Sequence, residues 1–327
     1  MGRAPLRSRA TGPARWRFDW YLQRASGGAP PAYINLEPTN RCNLSCKWCV
    51  SSGAREGGLL DLAIADGIIQ QAVESGVGEV RFFLAGEPLL HPRIGELVAR
   101  ASSRGLRSVI HTNAMLLTAD RSRALIEAGL GEISLSINGI DEATVREAQK
   151  GADLANMAEH VRGFLAARRA AGRNTPRVIL QIIQSPLEMA TPLPLHRLHM
   201  LFGSPGPDRV LRLAPHGWGG QLDSSDVVIR GTRYHACQPL WQGMSVGWDG
   251  RVFLCCADLN GTQPVGDLTR RRARRLVATN QRADLPLCAS CDAVWWKSHP
   301  LVHDIRRGFW RLMGAPARRV RLRTGKR

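Results

Sequence analysis

From residue 32 onward, short runs rich in Val, Ile and Leu alternate with segments whose apolar residues recur at helical spacing. The pattern predicts strands at 32–37, 79–84, 106–111, 133–137, 178–183 and 210–213, and helices at 62–73, 94–103, 121–128 and 154–171. The strands do not alternate cleanly between apolar and polar, so both of their faces are expected to be covered, as in a parallel sheet flanked by helices. About six βα units result, and in such α/β folds ligands sit at the carboxyl ends of the strands. Residues 1–30 have no sustained apolar period and read as an irregular basic arm, with Trp16, Phe18, Trp20 and Tyr21 pinning its end to the body. Beyond residue 230 the pattern changes. Asp249-Gly250 between two apolar runs signals a hairpin. Near the end, Val302, Ile305, Phe309, Trp310, Leu312 and Met313 fall at helical spacing with Arg306, Arg307 and Arg311 between them, an amphipathic basic segment. Four parts follow: an arm at 1–30, an α/β body at 31–230, a small domain at 231–294 and a tail at 295–327.

Composition narrows the class. A chain of 327 residues, 44% hydrophobic, is long enough for one large domain and a smaller one. No apolar run approaches the roughly 18 residues of a spanning helix and no signal peptide is evident, so a soluble cytoplasmic protein is expected. The net charge of +18 suggests nucleic acid, but its distribution does not. Residues 1–30 hold six Arg and one Asp, and residues 295–327 hold ten Lys or Arg and one Asp, which leaves +4 for everything between. The body is nearly balanced.

Chemistry concentrates in Glu37-Pro38-Thr39-Asn40-Arg41-Cys42-Asn43-Leu44-Ser45-Cys46-Lys47-Trp48-Cys49, directly after the first strand. Three cysteines within eight residues suit an iron–sulfur cluster, and because a cubane takes four thiolates, one iron is left open for a small chelating molecule. A structural zinc loop is the alternative that this spacing leaves open. The CxxxCxxC stretch resembles the signature of the radical S-adenosylmethionine (SAM) enzymes. That resemblance implies a partial (β/α)6 barrel, a 4Fe–4S cluster on Cys42, Cys46 and Cys49, and S-adenosylmethionine on the open iron, with Trp48 at the position where the family carries an aromatic residue.

Other strand ends extend the resemblance. Ala85-Gly86-Glu87-Pro88 is similar to the family's GGEP motif, which binds the methionine amino group. A glycine there admits close backbone approach, and a carboxylate can accept from an ammonium. Ser134-Leu135-Ser136-Ile137-Asn138-Gly139 resembles the ribose-binding segment, so Ser136 and Asn138 are expected to hydrogen-bond sugar hydroxyls, although the family commonly has Asp at the second position. Asn113 and Gln181 are weaker candidates at the strand ends, and the His216-Gly217-Trp218-Gly219-Gly220 turn reads either as a substrate rim or as a simple turn.

A second cysteine set comprises Cys237, Cys255, Cys256, Cys288 and Cys291. Residues 235–292 resemble the shortened auxiliary-cluster domain called twitch, a relative of SPASM. The resemblance implies a second 4Fe–4S cluster on Cys237, Cys255, Cys288 and Cys291, with a four-thiolate zinc site as the alternative. Cys256 is left over, either as a catalytic thiol that returns a hydrogen atom to the substrate or as packing. The family's chemistry is reductive cleavage of S-adenosylmethionine to a 5′-deoxyadenosyl radical that abstracts a hydrogen atom, fed by an electron donor such as flavodoxin or ferredoxin. Only 41 residues precede Cys42, which favours a small molecule over a leader-bearing peptide. A carbohydrate or glycosylated natural product, undergoing dehydrogenation or epimerisation, is the expected substrate, with a nucleotide or other anionic metabolite or a ribosomal peptide as the alternative. A non-enzymatic metal-cluster protein that binds nucleic acid through its tails is the competing class. For the C-terminal tail, packing on the body, partner docking and peripheral membrane contact are all open.

Overall fold

The computed structural model describes residues 31–50, 55–227 and 243–269, together with Leu287 and Cys291. Six parallel strands form its centre: β1 (Tyr33–Leu36), β3 (Glu79–Phe82), β4 (Arg107–Thr112), β5 (Glu132–Ser136), β7 (Arg177–Ile183) and β8 (Arg209–Leu213). They lie side by side in chain order within one sheet, which gives an α/β partial barrel. On their outer face Ile34, Val80, Phe82, Ile110, Ile133, Leu135, Val178, Leu180 and Ile182 are buried in one apolar cluster with the helices. Those helices are α1 (Leu62–Glu74), α2 (Ile94–Ser103), α3 (Ala119–Glu127), α4 (Glu142–Ala148), α5 (Leu154–Ala170), α6 (Pro186–Ala190) and α7 (Leu195–Phe202).

Capping chemistry sets several helix starts. Asp61, Thr118 and Asp153 each accept a hydrogen bond from a first-turn backbone N–H, of α1, α3 and α5 respectively. The Thr118 cap is why α3 begins at Ala119 rather than at Arg121, where the apolar period starts. Helix α4 has too short an apolar period to read from sequence, but Asp141 caps it through the backbone N–H of Thr144.

The hairpin expected at Asp249-Gly250 is present, with Gly250 at φ +83°. It joins β9 (Gly243–Val246) to β10 (Arg251–Phe253). Strand β9 pairs in parallel with β1, and β11 (Pro264–Asp267) adds to β10, so these three strands extend the barrel's own sheet to nine. Two two-residue strands make a separate antiparallel ladder, β2 (Ser45–Cys46) with β6 (Gln149–Lys150). This ladder ties the cysteine loop to the end of α4, where Lys47 N also donates to Ala148 O at 2.9 Å. The arm at 1–30, the tail at 295–327, Cys237 and Cys288 lie outside the described residues. Among the described residues no helix is long and apolar enough to cross a membrane.

Candidate functional site

The cysteine loop leaves the C-terminal end of β1 and is held from below by backbone-directed polar contacts. Thr39 Oγ1 donates to Gly58 O at 2.6 Å and accepts from Arg41 N at 3.1 Å. Asn40 bridges the same neighbour, donating to Glu56 O at 2.9 Å and accepting from Gly58 N at 2.9 Å. These short side chains reach backbone groups that no helix or sheet satisfies, which turns an irregular loop into a fixed one.

The turn after β3 docks directly on this loop. Gly86 sits at φ +78°, and a Cβ there would lie 2.5 Å from Thr39 O and 2.6 Å from Arg41 O. Glu87 N donates to Arg41 O at 2.8 Å. The Glu87 side chain is buried and already accepts from Leu89 N (2.9 Å), Thr112 Oγ1 (2.7 Å) and Asn113 N (2.8 Å). With roughly four lone-pair sites on a carboxylate, three of them occupied, Glu87 braces β3 against β4 and keeps at most one site for a ligand's ammonium. Burial raises its pKa, and those three hydrogen bonds pull it back. Asn113, one residue past β4, donates to Asn43 Oδ1 at 2.9 Å, so the cysteine loop, the Gly86-Glu87 turn and the end of β4 are one bonded unit.

The three thiols lie within electrostatic reach of one another. Burial pushes Cys46 up to about 12, with repulsion from Cys49 and Cys42 adding to it. Cys42 is raised as well, chiefly by burial, with Glu87 and Cys49 contributing. Cys42 is exposed while Cys46 and Cys49 are half-buried, and a bound cationic centre would offset the burial and repulsion that raise Cys42 and Cys46 and so favour their thiolate form. Among the described residues no three Cys, His, Asp or Glu side chains converge on a single ion.

Trp48 is only 5% exposed. Its indole N–H donates to Asp226 Oδ2 at 3.0 Å and its carbonyl accepts from the Trp218 indole at 2.8 Å. Lys47 also pairs with Asp226 at 3.1 Å. The hydrogen bond from Lys47, then that from Trp48, holds the Asp226 carboxyl below its usual range. The His216–Gly220 turn therefore packs over the cysteine loop, with Trp218 at φ +52° against an apolar group that includes Leu84, Ala85, Cys49 and Cys256. At the end of β5, Ser136 stands opposite Gln181 in the β5–β7 register and both are half-buried. Asn138 is buried, and its Oδ1 accepts from Ile183 N at 3.0 Å, which leaves its amide N–H groups for a ligand.

In the second cysteine set, Cys255 and Cys256 follow β10 and are half-buried, and Cys291 is exposed. Cys237 and Cys288, the other two expected ligands, fall outside the described residues.

The model of the Radical SAM superfamily matches residues 36–182, from the end of β1 to the end of β7. Residues 36–182 belong to the radical SAM superfamily. Among curated relatives of this chain, a GTP 3′,8-cyclase of Synechococcus sp. (strain CC9902) is 34% identical over 165 residues, 48% of each chain. A PqqA peptide cyclase of Gluconobacter oxydans (strain 621H) is 38% identical over 117 residues, 35% of this chain and 32% of the relative. The chain thus spans half or less of the length of these relatives. The crystal structure of BtrN in complex with AdoMet and 2-DOIA shares the fold at TM-score 0.56 and 18% identity, covering 82% of this chain and 96% of that one.

Glu37 and Arg55 are the site residues that sequence reasoning missed. Glu37 opens the quoted stretch, yet nothing in its spacing marks it as buried, and Arg55 looks like any loop arginine. Their partners are contributed by the turns at residues 85, 248 and 259, far away in sequence.

Proposed function

We propose that the chain is a radical SAM oxidoreductase that removes a hydrogen atom from a small hydroxylated molecule, a carbohydrate or glycosylated natural product, in a dehydrogenation or epimerisation. The observation that carries this reading is the docking of the Gly86-Glu87 turn on the Thr39–Arg41 backbone, which fixes the three-thiol loop beside a strand-end cradle. Cys42, Cys46 and Cys49 would hold the 4Fe–4S cluster, and the turn at Gly86 would receive the amino acid end of S-adenosylmethionine. Ser136, Gln181 and the free amide of Asn138 line the side where its ribose would bind. Bound together, the cluster and S-adenosylmethionine supply the radical that abstracts hydrogen. The protein holds the cysteine loop still, covers it with Trp218, and excludes water with the apolar group around Ala85.

The substrate class draws support from the fold shared with BtrN, whose crystal structure is in complex with AdoMet and 2-DOIA. Cys237, Cys255, Cys288 and Cys291 are assigned to an auxiliary cluster of twitch type, which would accept an electron in a dehydrogenation. Cys256, packed in the same apolar group as Cys49, is assigned as the hydrogen donor if the outcome is epimerisation. A flavodoxin or ferredoxin supplies the reducing electron. A second reading, a nucleotide or peptide substrate, rests on the GTP 3′,8-cyclase and PqqA peptide cyclase relatives.

Anaerobic reconstitution is expected to give about eight irons per chain, two cubanes. Dithionite with S-adenosylmethionine is then expected to yield 5′-deoxyadenosine. Faster release with an aminocyclitol or amino sugar than with GTP or a peptide supports the first reading, and the reverse order supports the second.

A further inference from the structure

Below the cysteine loop, where β1 ends, a carboxylate and a guanidinium are sealed from solvent. Glu37 has no side-chain exposure and Arg55 has 6%. Arg55 grips Glu37 with a two-pronged fork, Nη1 to Oε2 at 3.0 Å and Nη2 to Oε1 at 2.5 Å. Glu37 Oε1 also accepts from Ala85 N at 3.1 Å, and Oε2 from Trp248 N at 3.2 Å. The third guanidinium nitrogen, Nε, donates to Leu259 O at 2.9 Å, and the guanidinium lies 4.8 Å from the Phe253 ring centroid. The backbone joins in, with Glu37 N donating to Val246 O at 2.9 Å.

These contacts reach the turn after β3, the β9–β10 hairpin and the segment around Cys255 and Cys256 at once. Ala85 begins the turn that docks on Thr39–Arg41. Trp248 is the hairpin turn between β9 and β10, and its ring lies so close to Gly58 that a Cβ there would fall 2.3 Å from it. Leu259 and Phe253 flank Cys255 and Cys256. A buried fork of this kind is directional, because both carboxylate oxygens and three guanidinium nitrogens are used in one plane. Burying the charges costs desolvation that a well-packed apolar pair would not incur, so its stabilising value alone does not account for it, whereas its geometry fixes relative position.

We infer that Glu37 and Arg55 are positioning residues that latch the β9–β10 hairpin and the Cys255-Cys256 segment to the base of the cysteine loop, so that the loop's geometry depends on the hairpin being docked. The inference rests on the proposed cofactor site and deepens it. Both are assigned to act through the loop and the hairpin that they hold, not through contact with substrate or cofactor.

The test uses the full chain, reconstituted anaerobically, as wild type, R55M, R55K and the double variant E37Q/R55M. Two readouts are taken: hydrogen exchange of the amides at 243–261, and the change that S-adenosylmethionine induces in the electron paramagnetic resonance spectrum of the reduced cluster. The latch predicts at least tenfold faster exchange at 243–261 in R55M, with the S-adenosylmethionine-induced change lost although iron is retained. R55K, which keeps the charge without the fork, is expected to behave as R55M. The double variant leaves no unpaired buried charge, so it is expected to fold even if R55M does not, and still to lose the spectral change. Wild-type exchange in the variants, or faster exchange with an unaltered spectral change, overturns the inference. If the wild-type chain itself shows no response to S-adenosylmethionine, it is the proposed function that fails, and the exchange measurement still decides the latch.

Discussion

Single residues at this site act mainly through backbone geometry and burial. At Gly86, any side chain meets two penalties together: a left-handed φ, costing about 1–3 kcal/mol by itself, and overlap with the Thr39 and Arg41 carbonyls. Gly86→Ala is therefore expected to unseat the cysteine loop, and iron per chain after reconstitution should fall by about half, from two cubanes to one; full iron loading with normal cofactor cleavage would show the docking to be dispensable. His111 offers a second residue-scale test. It lies on β4 with its ring 4.1 Å from the Phe83 ring, and burial, with the nearby Arg81 charge, lowers its pKa from 6.5 to about 3. Below about 6.5 the unfolded chain takes up a proton that the folded site refuses. This contribution to stability is therefore complete above that pH and is lost as pH falls towards about 3, by at most about 1.4 kcal/mol per unit. The urea midpoint of the wild type should fall between pH 7 and pH 5 by more than that of His111→Gln; equal falls would mean that His111 titrates normally.

The elements show what the sequence could and could not carry. The six strands and the long helices were legible because each is a run of four or more residues with an apolar pattern of its own, and the Asp249-Gly250 hairpin because its turn chemistry is local. The β2–β6 ladder was not, since two residues have no period and pair only because α4 ends beside the loop. Thiol spacing and the Gly86-Glu87 turn pointed to the site from sequence alone. The engagement of Glu87 with Thr112 and Asn113, and of Trp48 with Asp226, depends on groups brought close only by folding. The two adjacent cysteines after β10 carry a prediction at this scale. Cys256 packs with Leu84, Ala85, Phe253 and Leu259, so Cys256→Ala is expected to keep full iron, whereas Cys255→Ala is expected to lose about four irons. Product lost from Cys256→Ala while 5′-deoxyadenosine still forms would favour epimerisation, and iron lost from Cys256→Ala rather than Cys255→Ala would reverse the assignment of the ligand.

At the scale of the whole molecule, one nine-stranded sheet carries both cysteine segments, the first at the end of β1 and the second after β10, with β9 as the strand between their parents. The basic termini stand apart from this sheet in sequence. The charge of the Arg318-Arg319-Val320-Arg321-Leu322-Arg323 run leads to the expectation that it stays solvated, so truncation after Gly314 is expected to leave S-adenosylmethionine cleavage intact, whereas truncation before Leu301 is expected to lower the thermal midpoint. Sedimentation with anionic vesicles at low salt tests the tail separately. Binding that disappears with residues 295–327 supports a peripheral enzyme, and no binding removes that reading. The central claim is that the loop of Cys42, Cys46 and Cys49 holds the iron at which S-adenosylmethionine is cleaved. It is tested most directly by measuring 5′-deoxyadenosine from the reconstituted wild type and from the variant with all three cysteines replaced by Ala, each with dithionite and S-adenosylmethionine. The account predicts product from the wild type and none from the variant, which should still hold about four irons; full cleavage by the variant would contradict it.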